Sequence, residues 1–442
     1  MSVLAWIDTL PRDWKAKPLR STVDYVVSNV DKVPADDEIP VRLCNYTDVY
    51  NNEFITLALE FMQATATEEE IAKFGLRVDD VAITKDSESW DDIGVPALVR
   101  ETASDLVCGY HLALLRPHKQ QMDGAFLFRC LQAKPVRVQL ELAANGVTRF
   151  GIPKSEIGAM TLPVPPLPQQ RAIADYLDRE TARLDALMAA KERVLELLAE
   201  KRRALITRAV TRGLDPRAPL RDSDIPWLGE IPAHWQSMRL RFLVRHLEQG
   251  WSPEAENREP GDEEWGVLKL NAVSRGRFNQ SAAKALPPDF AIRADLEVHR
   301  GDFLVTRSNT PSLVGDACFV EEARPHLMLC DLTYRLTLRE EVIDGKFLGH
   351  FLTLPEGRGQ IESDARGTSG SMVKISQEHI KDWWIPLPPL GEQVELVAHI
   401  GRETGALDEM FTATERTIDL LKERRAALIA AAVTGQIDVR AA

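Results

Sequence analysis

The residues of this chain that could carry out catalysis do not form the patterns that catalysis usually requires. The 442 residues contain no phosphate-binding GxxxxGK[ST] loop, no GxGxxG after a strand and no cysteine–histidine spacing typical of zinc. An Asn/Asp-Pro-Pro-aromatic run, with which amino-methyltransferases hold a flipped base, is also absent. Pro288-Asp289 with Glu297 resembles a nuclease motif, but no lysine lies two residues after the acid. We therefore predict that the chain is not an enzyme and binds no cofactor or metal.

Polar and basic side chains instead follow two short apolar runs that resemble each other. The stretch DDVAITKDSESWDDIGVPALV begins at Asp79, and GDFLVTRSNTPSLVGDACFV begins at Gly301. Each run ends in a threonine followed by a basic residue, Lys85 or Arg307. Such a pattern predicts a buried strand, a polar loop, a glycine and a second strand. The chain thus presents two equivalent polar loops.

The elements that position these loops also occur twice. Residues 163–215 align without a gap with residues 386–438, and 24 of the 53 paired positions are identical. Each copy opens with a cluster of prolines, which cannot lie inside a helix because proline lacks a backbone donor. The apolar residues that follow recur about every 3.5 positions, the spacing of a coiled-coil seam. Each copy therefore predicts a helix roughly 65 Å long, which can serve as a spacer.

Polar residues interrupt both seams at matching places. They are Glu180 and Glu403, Lys191 and Thr414, and Lys201 and Arg424. Under one interpretation they lie at the edge of the seam and extend into water. Under the other they fix the register and the choice of partner at a cost in stability. The spacing alone leaves both interpretations open.

Composition and charge limit the possible classes of protein. The formal charges are −7 for residues 1–162, +2 for 163–215, −5 for 216–390 and −3 for 391–442. Since no segment is a basic domain, nucleic-acid binding would need local patches or charge from a partner. No stretch is apolar enough to span a membrane, no secretory signal is evident at the start, and the five cysteines show no pairing pattern. We expect a cytoplasmic protein with reduced, mostly buried thiols.

The order of these segments predicts a mixed α and β fold. We predict two homologous α/β domains, 1–162 and 216–385, each followed by a spacer helix, 163–215 and 386–442. The second helix should pack its seam against the first and run antiparallel to it, giving a pseudo-two-fold internal repeat. The globular halves are less alike in sequence than the helices, so their common scaffold is expected to be thin. Two similar spacer helices joined to globular domains of different sequence favour a protein with two binding specificities held at a fixed separation.

The repeated proline-rich run resembles a known family, the specificity subunits of type I restriction–modification systems. The resemblance covers nearly the whole chain. It rests on Ile385–Leu390 with Glu392-Gln393, on Ile231-Pro232 with His234-Trp235, and on LKERRAALIAAAVTGQID at the end of the second helix. The first copy departs from this pattern, because Gln169 replaces Glu392 and Asp13 replaces His234.

The resemblance implies a DNA-recognition role without catalysis. In such subunits each globular half is a target-recognition domain that reads one part of a split, asymmetric sequence in double-stranded DNA. The antiparallel helices set the gap and dock two methyltransferase (modification) subunits, which bind S-adenosylmethionine and methylate adenine. Restriction subunits using ATP and Mg²⁺ can join them. A helix of ~65 Å spans about two turns of duplex, so both heads could reach one DNA molecule.

Candidate binding residues lie in the polar loops and near the exit from each globular half. The DNA-binding candidates are Lys85, Ser87, Arg149, Lys154, Arg307, Ser308, Asn309, Arg366, Ser369, Ser371 and Lys374. Arginine, asparagine and lysine there could make bidentate base contacts or hold phosphates, although each could equally be a solvated surface residue. The candidates for the helix–helix and partner interface are Leu177, Leu184, Leu187, Val194, Leu198, Leu205, Ile400, Leu407, Met410, Leu421 and Leu428.

Two other functions compete with this one. A stand-alone DNA-binding regulator would have to bind tightly without a partner, and the acidic composition argues against that. A coiled-coil adaptor without a role in DNA binding would not need two globular domains that share a scaffold but differ in sequence. The sequence does not give the target bases, the length of the gap or the presence of a nuclease subunit.

Overall fold

The computed structural model describes residues 4–365 and 372–439. It divides into two compact units, and each unit takes part of both long helices. Unit 1 comprises Met1–Arg193 and Thr414–Ala442, and unit 2 comprises Val194–Ala413. The prediction of a mixed α and β fold with two long helices is confirmed. The predicted domain boundaries follow a different division, between globular halves and helices, and they remain predictions.

Unit 1 is built on a sheet with strand order β2-β10-β6-β8-β4, beside a three-stranded sheet of order β5-β3-β9. Its strands are β1 (Lys15–Pro18), β2 (Val23–Val27), β3 (Ile39–Cys44), β4 (Phe54–Ile55), β5 (Met62–Ala66), β6 (Val81–Thr84), β7 (Asp86–Ser87), β8 (Pro96–Val99), β9 (Leu106–Cys108), β10 (Leu112–Pro117), β11 (Phe150–Gly151) and β12 (Thr161–Val164). Its shorter helices are α1 (Tyr46–Asn51), α2 (Glu68–Phe74), α3 (Gly124–Gln132), α4 (Lys134–Ala143) and α5 (Lys154–Ala159), with 3₁₀ turns at Ala5–Thr9 and Leu19–Ser21.

Unit 2 is built on a sheet of order β16-β25-β21-β23, beside a three-stranded sheet of order β20-β17-β24. Its strands are β13 (Leu220–Asp222), β14 (Glu230–Pro232), β15 (Gln236–Arg239), β16 (Val244–Gln249), β17 (Gly266–Leu268), β18 (Val273–Ser274), β19 (Arg277–Phe278), β20 (Ala283–Ala285), β21 (Phe303–Thr306), β22 (Ser308–Asn309), β23 (Ala317–Phe319), β24 (Leu327–Met328), β25 (Thr333–Leu338), β26 (Val373–Lys374) and β27 (Trp384–Leu387). Its shorter helices are α7 (Gly345–Leu352), α8 (Pro355–Asp364) and α9 (Gln377–Asp382), with 3₁₀ turns at Leu240–Phe242, Leu270–Ala272 and Ala294–Leu296.

The two units share more scaffold than the sequence predicts. The order β2-β10-β6-β8 in unit 1 matches β16-β25-β21-β23 in unit 2. In each three-stranded sheet the middle strand has one antiparallel and one parallel neighbour. The antiparallel pairs β1–β12 and β15–β27 also correspond. The common scaffold is therefore extensive even though few residues in the globular halves are identical, because buried strands accept many combinations of apolar side chains.

The central strands carry apolar side chains on both faces. Every residue of β6 and of β21 is buried. In β6, Val81 and Ile83 belong to the core that includes α3 and the helix ends, whereas Ala82 belongs to the core beneath the three-stranded sheet. Since successive side chains of a strand point to opposite faces, a continuous apolar run is what a strand covered on both faces requires. These strands end at the predicted polar loops.

The long helices are α6 (Leu167–Arg212) and α10 (Leu390–Val433). Each begins directly after its proline cluster, and Gly213 and Gly435, both with positive φ, follow their ends. Glycine adopts this conformation without the strain that a Cβ would cause, so it terminates a helix well.

Each unit contains an antiparallel pair of segments from these helices. In unit 1, Gln169 and Gly435 line one cavity while Asp185 accepts hydrogen bonds from Arg425. In unit 2, Arg202 donates to Asp408, and a Cβ placed on Gly213 would lie 3.3 Å from Glu392 Oε1. In both units, residue numbers rise along α6 as they fall along α10.

Candidate nucleic-acid interface

A two-stranded sheet brings the predicted binding residues together in each unit. In unit 1, β7 pairs with β11 and places Ser87 opposite Phe150. In unit 2, β22 pairs with β26 and places Ser308 opposite Lys374. Stretches that are distant in sequence therefore form one polar surface. We call the surface with Lys85, Ser87, Arg149 and Lys154 reading face 1, and the one with Arg307, Ser308, Asn309 and Lys374 reading face 2.

Reading face 1 contains a chain of charged and polar contacts around Asp86. Lys85 Nζ lies 2.7 Å from Asp86 Oδ1, and His111 Nδ1 lies 2.5 Å from Asp86 Oδ2. Arg149 Nη2 donates to His111 Nε2 at 3.2 Å. Because arginine can only donate, Nε2 is the acceptor and Nδ1 carries the proton that is donated to Asp86. Burial raises the pKa of Asp86, but hydrogen bonds from Lys85 and His111 outweigh it and bring the pKa below its ordinary value.

These contacts fix the direction of the basic side chains. The backbone of Lys85 is held on both sides, because its N–H donates to His111 O and its carbonyl accepts from Ile152 N, each at 2.9 Å. The Asp86 carboxylate thus orients two basic side chains, Lys85 by direct contact and Arg149 through His111. Side chains that are already held in place lose less conformational entropy on binding an anion or a base edge than mobile side chains do. No local sequence pattern points to His111, which directly precedes a strand far along the chain.

Two other predicted residues of this face differ in exposure. Ser87 is only 7% exposed, and its hydroxyl oxygen accepts a hydrogen bond from Ser89 N at 3.3 Å. Lys154 is exposed at the start of α5, and its Nζ lies 5.9 Å from the centre of the Tyr25 ring. Lys154 is therefore accessible to a ligand, whereas Ser87 is largely covered.

Reading face 2 uses different side chains on the same backbone arrangement. Arg307 N–H donates to Leu332 O at 2.7 Å, and Arg307 O accepts from Ile375 N at 2.9 Å. The hydroxyl of Tyr334, which lies close enough to feel the charge of this guanidinium, donates to Ile375 O at 3.4 Å. Asn309 Oδ1 accepts from the next backbone N–H at 2.8 Å, which orients the amide.

The remaining predicted residues of the second half divide into three groups. Ser308 is fully buried, and its hydroxyl donates to Val373 O at 3.2 Å, so it stabilises the β22–β26 pair. Lys374 is exposed. Arg366, Ser369 and Ser371 lie outside the described residues.

A cavity of about 520 Å³ adjoins reading face 2. Its walls include Asn309, Leu313 and Cys330, and its polar groups come from Lys269, Asn271, Lys284, Ser252 and Ser274. Trp251, 42% exposed, stacks on Phe290 close by with ring centres 5.3 Å apart. Sequence reasoning missed the two lysines because one follows β17 and the other lies in β20, and only the sheet brings these strands together.

Neither metal nor thiol chemistry is supported in the part of the chain that the structure describes. Across residues 4–365 and 372–439, no group of three or more His, Cys, Asp or Glu side chains is arranged to hold a metal ion. All five cysteines are buried with free thiols, and burial raises the pKa of each. The prediction that the cysteines are mostly buried is confirmed. Among the described residues, no helix is long and apolar enough to cross a membrane.

Comparison with known proteins shows which proteins the chain is similar to. Residues 44–197 match the type I restriction modification DNA specificity domain. Over 445 residues the chain is 24% identical to the EcoKI specificity subunit of Escherichia coli K12, covering 97% of this chain and 90% of that one. It is 30% identical over 208 residues to the EcoEI specificity subunit of Escherichia coli, covering 47% of this chain and 35% of that one. The chain is thus similar to the specificity subunits of type I restriction–modification systems.

Solved structures of the same kind show the same fold. A chain from a study of complex assembly and conformational transition in a type I restriction–modification system superposes with a TM-score of 0.69 at 16% identity, covering 97% of this chain and 99% of that one. The HsdS subunit of Thermoanaerobacter tengcongensis gives a TM-score of 0.54 at 16% identity, covering 97% and 98%. The resemblance inferred from the repeated motif is therefore confirmed.

A buried glutamine anchors each long helix of this chain. Gln170 Nε2 donates to Gln121 O and Pro165 O, and its Oε1 accepts from Asp123 N. Gln393, at the equivalent position, donates to Val342 O and Pro388 O and accepts from Asp344 N. Asp123 and Asp344 in turn cap α3 and α7. The glutamine of the repeated motif thus joins the helix, its proline-rich start and a capped helix of the globular half.

The two departures of the first copy from the motif compensate each other. In unit 2, Glu392 accepts from Trp235 Nε1 at 3.1 Å and lies 2.8 Å from His234 Nε2. In unit 1, Gln169 accepts from Trp14 Nε1 at 2.9 Å and donates to Asp13 Oδ2 at 2.6 Å. In unit 2 the residue at the start of the helix is the acid and its partner is the donor, and in unit 1 these roles are exchanged. The contact is preserved, because a glutamine can donate to an aspartate just as a histidine donates to a glutamate.

The predicted helix interface divides into buried and exposed positions. Leu177, Leu184, Leu198, Ile400, Leu407 and Leu421 are buried, and Leu205 and Leu428 are partly buried. Leu187, Val194 and Met410 are 44%, 36% and 54% exposed, so they lie outside the buried helix contact. Of the polar residues that interrupt the seams, Glu403, Lys201 and Arg424 are exposed, Glu180 and Lys191 are partly buried and Thr414 is buried. Most of them therefore lie at the edge of the seam.

Proposed function

We propose that this chain is the DNA-recognition subunit of a type I restriction–modification complex and reads a bipartite, asymmetric sequence with reading faces 1 and 2. Its family consists of specificity subunits, which are non-catalytic. The stand-alone regulator is not favoured, because the curated relatives are subunits of restriction enzymes.

The observation that carries the proposal is one scaffold bearing two different sets of polar side chains. The backbones of Lys85 and Arg307 make equivalent hydrogen bonds in the two units. On reading face 1 the next residue is Asp86, which binds His111, whereas on reading face 2 the next residues are Ser308 and Asn309. Since arginine and asparagine pair best with guanine and adenine edges, a change of side chains on a fixed backbone changes the bases that are read.

We further propose how the chain is divided and what it assembles with. Residues 1–162 and 216–385 form the first and second target-recognition domains, and 163–215 and 386–442 form the spacer helices. The exposed side chains of Leu187, Val194 and Met410 contribute to docking two methyltransferase subunits. Those subunits bind S-adenosylmethionine, and restriction subunits, where present, use ATP and Mg²⁺.

The test is co-expression with the neighbouring open reading frames, followed by sequencing that detects methylated adenine. We expect a split motif that is methylated on both strands only when this chain is present. An Arg307→Gln/Asn309→Ala variant should lose or change only one half of the motif, and an Arg149→Gln variant only the other half. Arg217, which is exposed outside the reading faces, provides the control as Arg217→Gln, and the full motif should persist.

Two outcomes would contradict the proposal. If deleting this chain left the methylation pattern unchanged, the chain would not be the specificity subunit of that system. If Arg307→Gln/Asn309→Ala and Arg149→Gln both left each half of the motif intact, the reading faces would be assigned wrongly even though the subunit role stood.

A further inference from the structure

A cleft of about 640 Å³ separates α6 from the globular part of unit 2. One wall is a face of α6 with Ala199, Arg202, Arg203 and Ile206, and α8 on the other wall supplies Arg358. Arg358 Nη1 donates to Val314 O at 2.8 Å. Its Nη2 is buried and donates no hydrogen bond to any described residue, and it lies 3.6 Å from Glu362 Oε1 in an ion pair.

Unit 1 contains a cleft of about 430 Å³ at the corresponding place. The helix wall is now α10, and its residues are Lys422, Arg425, Ala426 and Ile429. Each of these lies 223 positions after its counterpart on α6, which is the offset of the sequence repeat. The other wall includes Arg137 of α4, a helix that occupies the place of α8. The two clefts are therefore copies of one feature.

Basic groups outnumber acidic groups in both clefts, although the whole chain carries a formal charge of −13. The unit 2 cleft has four arginines, counting Arg275, against Asp316 and Glu362. The unit 1 cleft has Arg137, Lys422 and Arg425 against Glu53. All three basic groups of the unit 1 cleft and two arginines of the unit 2 cleft also form ion pairs. The side chains of Arg203, Arg275 and Lys422 are nevertheless exposed. Exposed basic side chains on the wall of a concave site attract anions.

We propose that each cleft holds backbone phosphates of the DNA duplex next to the bases read by the adjoining reading face. The inference rests on the proposed function and names a second contact surface for it. A ligand shared by two units that read different bases must be chemically the same in both, and the phosphate backbone meets that condition. Residues that read bases should differ between the units, because the units read different sequences. Basic residues line the cleft in both units, as expected for a ligand that does not differ.

The clefts lie close to the reading faces. In unit 2, Leu313 lines both the cleft and the cavity beside Asn309. In unit 1, α1 connects the two sites, since it packs against β6, the strand that leads into reading face 1, and Val49–Asn51 near its end line the cleft. The six residues of α1 span about 9 Å, which is less than the ~12 Å width of a major groove. A duplex that offers a base edge to the reading face can thus place a phosphate in the cleft.

The test compares an Arg203→Gln/Arg275→Gln/Lys422→Gln variant with the wild-type chain, each assembled with its methyltransferase subunits. The probe is a short random-sequence duplex, and binding is measured over a range of salt concentrations. We expect the slope of log K against log salt to become shallower by about 0.9 for each phosphate that the variant no longer neutralises. At low salt the affinity should fall on the order of tenfold, uniformly across sequences, with the methylated motif unchanged.

The matched control, Arg20→Gln/Arg217→Gln/Arg300→Gln, removes the same charge from exposed positions outside the clefts. It should leave the slope within error of wild type. An equal slope for the cleft variant and the control would overturn the phosphate assignment, because only general charge would then matter. Loss of co-purifying methyltransferase from the cleft variant alone would also overturn it and would show that the clefts dock protein. A wild-type complex that methylates no split motif would instead refute the proposed function.

Discussion

The buried glutamine at the start of each long helix should be a main determinant of how the helix is fixed to its globular half. We consider the substitution Gln393→Leu, which keeps the approximate volume but removes every polar atom of the side chain. Gln393 is fully buried, and its three hydrogen bonds measure 2.8, 2.9 and 2.9 Å. The substitution leaves one backbone N–H, at Asp344, and two backbone carbonyls, at Val342 and Pro388, without these partners.

The expected loss follows from these three groups. A typical hydrogen bond contributes about 0.5–1.5 kcal/mol net, whereas a buried group left unsatisfied costs about 1–3 kcal/mol. Relaxation of the surrounding structure and burial of the apolar leucine offset part of the cost of the three unsatisfied groups. We therefore estimate that the substitution lowers the free energy of unfolding by about 3–5 kcal/mol in total. For a unit of roughly 200 residues, about 1 kcal/mol lowers Tm by about 2–4 °C, which predicts a fall on the order of 10 °C in unit 2.

Calorimetry of the full chain combined with hydrogen exchange of peptides from each unit would measure this loss and locate it. Gln393→Leu should accelerate exchange around α7 and the start of α10, while Gln170→Leu should do so around α3 and the start of α6. Gln236→Leu is the control, because Gln236 is exposed in unit 2. If Gln393→Leu and Gln236→Leu shifted Tm equally, the glutamine network would not stabilise the helix attachment and the argument would be refuted.

Two further predictions concern charged contacts in unit 2. His234→Asp should destabilise the chain, because the new carboxylate would face the carboxylate of Glu392. Adding Glu392→Gln should restore most of the lost stability, because it recreates the glutamine–aspartate contact of unit 1. A double-mutant cycle with a coupling energy below about 0.5 kcal/mol would contradict this prediction. Hydrogen bonds from Arg258 and from a backbone N–H lower the pKa of Glu264 to about 2, so the stability it contributes is present above the ordinary pKa and is lost as the pH falls toward about 2. In Arg258→Gln the carboxyl should titrate by NMR nearer its ordinary value of about 4.3, and an unchanged titration would refute the assignment.

The long helices could be predicted from sequence because their signals are local. A proline cluster cannot lie inside a helix, and apolar residues repeating every 3.5 positions predict that a helix follows. In the structure, α6 begins at Leu167 and α10 at Leu390, directly after the proline clusters. The exposure of Leu187 and Met410 could not be predicted in the same way. Whether a seam residue is buried depends on which part of the helix surface the partner helix and the globular half cover, and periodicity contains no information about that.

The reading faces were predictable only in part, for a similar reason. The apolar run that ends at Lys85 or Arg307 identifies the strand and the loop after it. The burial of Ser308 follows from pairing with a strand some 65 residues later, a long-range contact that the loop's own sequence does not show. His111 and the lysines of the cavity beside Asn309 reach their places through the sheet, so a search for local motifs does not find them.

The duplication separates what holds the molecule together from what distinguishes its halves. Arg425–Asp185 in unit 1 and Arg202–Asp408 in unit 2 are the same pair at an offset of 223, as are the two anchoring glutamines. Where the copies differ at the start of a helix, the partner residue differs as well and the contact survives. On the reading faces no such compensation occurs: Asp86 binds a histidine, whereas its counterpart Ser308 supports a strand. Differences that are compensated preserve a shared structure, and differences that are not compensated are the ones that can give each half its own DNA sequence.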